Sequence, residues 1–275
     1  MSVERDMRTR AVGSKMKDDT ISVSIKSQSL SGISNLSHSI FITGVSSGLG
    51  HGLAEHYLQQ GNKVLGCSRR TPEELTRHEN FQFTSCDVSN FDTLPENLEQ
   101  LFSGVETCEL AILNAGILSP FGDLQETSIE DCQNVMDVNL WSNKIILDWL
   151  LPRYPEIRQV VTISSGAAVN GNRGWNAYSI SKAALNMLTK LYAQEAPQTH
   201  FLAIAPGLIA THMQDVLCGL DEDERFPTLD SLRSRRGTDQ MPTAEQLAPK
   251  IAAVIEKAPA HTDSGEFIDI RKIDW

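Results

Sequence analysis

Apolar residues along this chain gather in short continuous runs, and the stretches between the runs repeat at helical spacing. Ile40-Phe41-Ile42-Thr43 leads into a glycine-rich turn, after which Leu49 to Gln60 keeps its apolar positions on one helical face until Gly61. Val64-Leu65-Gly66-Cys67 and Phe81 to Ser85 read as the next two strands, Phe91 to Phe102 as a helix, and Leu110 to Leu113 as a buried strand. Ile129 to Leu151 predicts one long helix stopped by Pro152. Val160 to Ile163 follows as a strand, and Ala177 to Ala196 as a helix stopped by Pro197. Phe201 to Ala205 is a further strand, and Thr243-Ala244-Glu245-Gln246 has the capping-box form that opens a helix running to Lys257. Phe267 to Ile270 supplies the last strand.

Strands with continuous apolar runs are buried on both faces, and their alternation with helices predicts a parallel arrangement. The expected fold is α/β: a single doubly wound Rossmann-type domain over residues 39–275, its seven-stranded, mostly parallel sheet covered by helices on both faces. Residues 1–38 read differently. Serine recurs between Thr20 and Ser39 with little apolar content, so a flexible N-terminal extension is expected, with a short edge strand at Ile21 to Ile25. Gln214 to Gln240 shows no clear period and is expected to be a long binding loop or lid.

Composition narrows the function classes. A net charge of −11 argues against a nucleic-acid partner, because phosphate binding needs a basic surface. The five cysteines are scattered and odd in number, so neither a metal site nor a disulfide framework is expected, and a reducing, cytoplasmic setting follows. No apolar run approaches the ~20 residues of a membrane span, and the first residues lack the apolar core of a secretory signal.

Candidate chemistry begins at the first turn. Thr43-Gly44-Val45-Ser46-Ser47-Gly48-Leu49-Gly50 joins strand to helix, and its glycines permit a tight turn, close approach to a pyrophosphate and close helix–sheet packing. The helix N-terminus offers free N–H groups to phosphate oxygens; the bland alternative is that the glycines are steric necessities. The second strand ends at Ser68, where an acidic side chain would take the ribose hydroxyl of NAD; Arg69 and Arg70 stand there instead and suit the phosphate of NADP(H). Two solvated surface arginines are the alternative.

Tyr178 and Lys182 are four apart in a helical segment and share a face. An ammonium beside a phenol favours the phenolate and makes the pair useful in acid–base work. Ser165 lies thirteen residues before Tyr178, with Ser164 as an alternative since strand neighbours alternate faces. Asn114-Ala115-Gly116 ends the fourth strand, Asn139 lies in the long helix, and Pro206-Gly207 ends the sixth strand ahead of Ile209 and Thr211. All fall at the carboxyl edge of the sheet or on a helix facing it, where open α/β folds bind ligands.

The set TGVSSGLG, CDV, NAG, the asparagine of VMDVNLWS, ISSGA, YSISK and PGLIAT, in this order, resembles the short-chain dehydrogenase/reductase family over about residues 39 to 271. RGWNAYSISKAALNML is similar to the sepiapterin-reductase and benzil-reductase branch. The resemblance implies carbonyl reduction by hydride transfer, and Arg69 and Arg70 favour NADP(H) over NAD(H) in it. Tyr178 would give the proton, Lys182 would hold the nicotinamide ribose and lower the tyrosine pKa, and Ser165 would bind the substrate oxygen. Asn139 would support a water linking Lys182 to solvent, the alternative being that it satisfies a helix kink. Asp87 and Val88 would contact the adenine, Asn114 to Gly116 its ribose, and Ile209 and Thr211 the carboxamide.

The expected substrate is a small, apolar carbonyl compound, with Trp175, Leu118, Phe121 and the segment from Met213 to Phe226 lining its pocket. Family analogy points to a homodimer or homotetramer. The rival from another class is a catalytically quiet NADP(H)-binding sensor or scaffold, against which the intact Ser165, Tyr178 and Lys182 set speaks.

Overall fold

The computed structural model describes residues 38–275. The edge strand expected at Ile21 to Ile25, and all of the N-terminal extension except His38, lie outside the described residues. Seven strands form one sheet in the order β3-β2-β1-β4-β5-β6-β7, and every pairing is parallel. They are β1 (Ser39–Thr43), β2 (Lys63–Ser68), β3 (Phe81–Ser85), β4 (Leu110–Leu113), β5 (Gln159–Ile163), β6 (His200–Ala205) and β7 (Glu266–Asp269). The helices are α1 (Gly48–Gln59), α2 (Leu94–Leu101), α3 (Ile129–Met136), α4 (Ser142–Arg153), α5 (Ala167–Asn170), α6 (Asn176–Glu195), α7 (His212–Cys218), α8 (Pro227–Arg235) and α9 (Ala244–His261).

Side chains alternate between the two faces of a strand, and here both faces are apolar. Ile40 and Ile42 of β1, Leu110 and Ile112 of β4, and Leu202 and Ile204 of β6 enter one core with α1 and α9. Phe41, Ala111, Leu113, Val160 and Phe201 enter the other with α2, α4 and α6. Each fully buried Leu, Ile or Phe contributes roughly 1.5–3 kcal/mol, so the two cores dominate the fold. Thr243 caps α9 with the capping box expected from the sequence, accepting from Gln246 N while the Gln246 side chain accepts from Thr243 N.

Two expectations fail for tertiary reasons. The helix expected from Ile129 to Leu151 is interrupted: a π turn at Asp137–Trp141 separates α3 from α4, and Pro152 sits inside the last turn of α4. The segment from Gln214 to Gln240 is not a structureless loop. It contains α7 and α8, because Leu217, Phe226, Leu229 and Leu232 bury one another against Leu118, Phe121 and Trp175, a small core that no local period announces.

We propose that residues 39–275 fold as one unit without the extension. The His38 carbonyl accepts from Lys63 N at 2.9 Å, so a shortened chain should begin at His38. Its melting temperature is expected to lie within about 2 °C of the full chain, since a loss of 1 kcal/mol in a domain this size costs about 2–4 °C. A fall of several degrees by calorimetry would contradict the boundary.

Candidate active site

At the carboxyl edge of the sheet the strands end in a cleft of about 810 Å³. Its floor is held by side chains that replace the missing ladder partners. Thr43 Oγ1 accepts from Asn114 N and Ala115 N, each at 2.9 Å, and Asn114 Nδ2 donates to Thr43 O at 2.9 Å. The ends of β1 and β4 are thereby locked together. Gly50, expected to bind cofactor, is absent from the cleft lining: a Cβ there would lie 2.4 Å from Asn114 Nδ2 and 2.4 Å from Gly44 O. It is a packing glycine that lets α1 approach the turn.

One half of the cleft has the chemistry of a dinucleotide site. Gly44, Ser46, Ser47, Gly48 and Leu49 line it at the start of α1, and the Ser47 side chain makes no cap bond to the first turn. That turn carries no acidic residue, so its N–H groups are free for an anion. Gly48 has φ +60°, and a Cβ there would come within 3.2 Å of Thr211 Cγ2, so a larger residue would close the cradle. Beyond it, Ser68 Oγ donates to Arg70 O at 2.8 Å and fixes the turn that presents Arg69 and Arg70. Both arginines are exposed, line the cleft, and have no carboxylate partner among the described residues. Asp87 and Val88, then Asn114, Ala115 and Gly116, complete this side. Burial pushes the Asp87 carboxyl up, but bonds from Ser89 and the charge of Arg69 outweigh it and hold the group below its ordinary range. Pro206, Gly207, Ile209 and Thr211 line the cleft beyond the end of β6.

The sequence-predicted catalytic side chains meet in this cleft. Ser165, just beyond β5, lines the cleft with Tyr178, its Oγ accepting from Ala167 N at 3.1 Å, whereas Ser164 Oγ donates to Asn186 Oδ1 at 2.5 Å. Ser165 is therefore the serine available to a ligand. Tyr178 and Lys182 share one face of α6, with Lys182 Nζ 5.9 Å from the tyrosine ring centre and donating to Ile163 O at 2.8 Å. The expectation that Lys182 lowers the tyrosine pKa is not met here. Burial raises Tyr178, with the nearby Ser165 hydroxyl pulling the other way, and burial lowers Lys182 to about 8. Tyr178 thus stays protonated at neutral pH.

Asn139 stands behind the wall and is wholly buried in the π turn. Its Oδ1 accepts from Ile117 N at 2.8 Å, its Nδ2 donates to Ile117 O and Ser181 Oγ at 3.0 Å, and its carbonyl accepts from Asn143 Nδ2. The amide clamps the loop after β4 to α6. A Cβ on Gly116 would meet Asn139 Oδ1 at 3.2 Å and Lys182 Nζ at 3.3 Å, so all three are in close packing.

Several features were missed by sequence reasoning. Trp175, Leu118, Met213, Gln214 and Val216 line the cleft as expected, but Phe121 lies behind the wall, packed on Trp175 and Phe226. Lining residues continue past the expected segment to Thr228, Ser231, Leu232 and Arg235, a spacing that would have identified the face of α8 had the helix been recognised. Arg271, beyond β7, also faces the cleft and pairs with Asp269 at 2.7 Å. The segment before α8 is fastened by ions: Arg225 reaches Asp123 at 3.1 Å, and Arg173 holds the same carboxylate at 2.6 Å.

The short chain dehydrogenase family model matches residues 38–218. The chain belongs to this family. It is accordingly an NAD(P)-dependent oxidoreductase with the seven-stranded fold described above. Among curated relatives, a Bacillus subtilis benzil reductase ((S)-benzoin forming) is 28% identical over 247 residues, 84% of this chain and 97% of the relative. An Arabidopsis thaliana NADPH-dependent pterin aldehyde reductase is 29% identical over 63% of this chain and 76% of its own length. The crystal structure of the KRED1-Pglu enzyme superposes with a TM-score of 0.78 at 23% identity, covering 84% of this chain and 100% of that one. These relatives place the chain near the benzil and pterin aldehyde reductase branch of the family.

Lys182 titrates near pH 8 when folded and near its ordinary 10.5 when unfolded. Between these values the unfolded chain holds more protons, so wild-type stability gains from Lys182 as pH rises from 8 to about 10. Denaturant unfolding of cofactor-free wild type and Lys182→Met at pH 7 and pH 10 should show the difference moving toward wild type by up to about 3 kcal/mol. A difference independent of pH would contradict the buried ammonium.

Proposed function

We propose that this enzyme reduces the carbonyl group of a small molecule to an alcohol with NADPH, Tyr178 acting as the general acid. The observation that carries the reading is one cleft holding Ser165, a buried and protonated Tyr178, and Lys182 beside a vacant-capped helix terminus. When bound there, NADPH supplies the hydride. Ser165 holds the carbonyl oxygen by a hydrogen bond, Tyr178 gives that oxygen its proton, and Lys182 holds the ribose and stabilises the tyrosine as it loses charge neutrality. Asn139 positions Gly116 and the neighbourhood of Lys182, and we assign it the support of a water that returns protons from solvent.

NADPH is favoured over NADH because Arg69 and Arg70 offer two unpaired guanidiniums where an acid would otherwise stand. The NADPH-dependent pterin aldehyde reductase relative supports the same choice. Self-association into a homodimer or homotetramer is supported by Ile180, Met187 and Leu191, each at least half exposed on one stripe of α6. A cytoplasmic setting is supported by five free cysteines.

Steady-state oxidation of NADPH and NADH with a panel of dicarbonyls tests the reading. NADPH should be the better cofactor by roughly ten- to a hundredfold in affinity, the range of a charge-assisted phosphate bond. Tyr178→Phe should lower kcat by roughly 10²–10⁴-fold while NADPH still binds. Near-normal reduction by that variant would reject Tyr178 as the acid.

A further inference from the structure

The wall of the cleft that α8 supplies combines an apolar residue with polar and charged ones. One face of α8 contributes Thr228, Ser231, Leu232 and Arg235, residues at helical spacing, and all four line the cleft. Among the described residues no protein group accepts from or donates to the side chains of Thr228, Ser231 or Arg235. On the neighbouring α7 the amide of Gln214 also lines the cleft, and its Oε1 is buried without a partner among the described residues. A buried polar atom left without a partner is costly, so this wall keeps hydrogen-bonding capacity that the described residues do not use.

The other arginines of the same segment sharpen the point. Arg225 holds Asp223 at 2.8 Å, Arg233 holds Asp230 at 2.8 Å, and Arg236 holds Asp215 at 2.5 Å. Arg235 has no carboxylate among the described residues, and it is the one of the four that lines the cleft. It is half-buried in the last turn of α8. The only carboxylate among the lining residues is Asp87, which feels the charge of Arg69. In a chain of net charge −11, a cleft wall with an unpaired guanidinium and no acid is a local attractor for anions.

We propose that Arg235, with Ser231 and Thr228 on the same helical face, receives a carboxylate of the substrate, so that the preferred substrates are oxo acids. The proposal rests on the carbonyl-reductase reading above and gives it a substrate class. The reaction remains the same two-electron reduction: oxo acid, NADPH and one proton give hydroxy acid and NADP⁺. Arg235 acts as a specificity residue that fixes one end of the molecule while Ser165 and Tyr178 engage the ketone oxygen. The small apolar substrate expected from the sequence is replaced by an amphipathic one, its apolar part against Leu118, Trp175 and Leu232.

Benzoylformate and its methyl ester test this, because they share ring and ketone and differ in the charge. Wild type should show the lower KM for the acid. Arg235→Gln should raise KM for the acid roughly ten- to a hundredfold, leave the ester within about twofold, and leave the NADPH Kd by fluorescence unchanged. Arg235→Lys should restore part of the preference. Equal effects on acid and ester, or none on either, would overturn the proposal. A weakened NADPH Kd would assign Arg235 to the cofactor and overturn it too. If wild type reduces the ester but not the acid, the carboxylate site fails while carbonyl reduction stands; if it reduces neither these ketones nor any dicarbonyl, the carbonyl-reductase reading fails with it.

Discussion

Where a buried parallel strand stops, its peptide groups lose their ladder partners but not their need for them. Leaving one unpaired costs about 1–3 kcal/mol, and seven strands end along one edge here. The chain meets this need with side chains. Thr43 and Asn114 close the ends of β1 and β4, Asn139 closes the loop beyond β4, and Lys182 takes the last carbonyl of β5. The groups that finish the sheet are thus the groups that shape the cleft, and structure and chemistry share residues.

Burial then tunes what those groups can do. The protein that surrounds Tyr178 removes the water that would stabilise a phenolate, so the hydroxyl keeps its proton; the same surroundings make the Lys182 ammonium easier to discharge. The first shift keeps Tyr178 in its proton-bearing form at neutral pH, and the second leaves a neighbouring amine able to exchange a proton near pH 8. Asn139 matters to this indirectly. Its amide fixes Ile117 and Ser181 at once, which sets the loop beside Lys182 relative to α6.

The sheet was legible in the sequence because its signals are local. Continuous apolar runs such as Val160 to Ile163, and a capping box at Thr243, depend on neighbours in the chain. The glycine turn and the Ser165, Tyr178 and Lys182 spacing were legible for the same reason, their geometry being set by one strand end and one helix face. What escaped was set by distant contacts. The π turn at Asp137–Trp141 is held by Asn139 reaching Ile117, twenty-two residues away, and α8 folds because Leu229 and Leu232 find Phe226, Leu217 and Trp175. Arg235 was therefore invisible as a lining residue until the helix that carries it was seen.

The central claim is that this cleft delivers hydride to a carbonyl carbon while the protein supplies the proton. The direct measurement is product analysis after turnover with NADPH carrying deuterium at nicotinamide C4. Reduction in ordinary water should place deuterium on the carbinol carbon of the alcohol and protium on its oxygen. An alcohol with no deuterium at carbon when each C4 position has been labelled in turn, or no alcohol formed at all, would contradict the account.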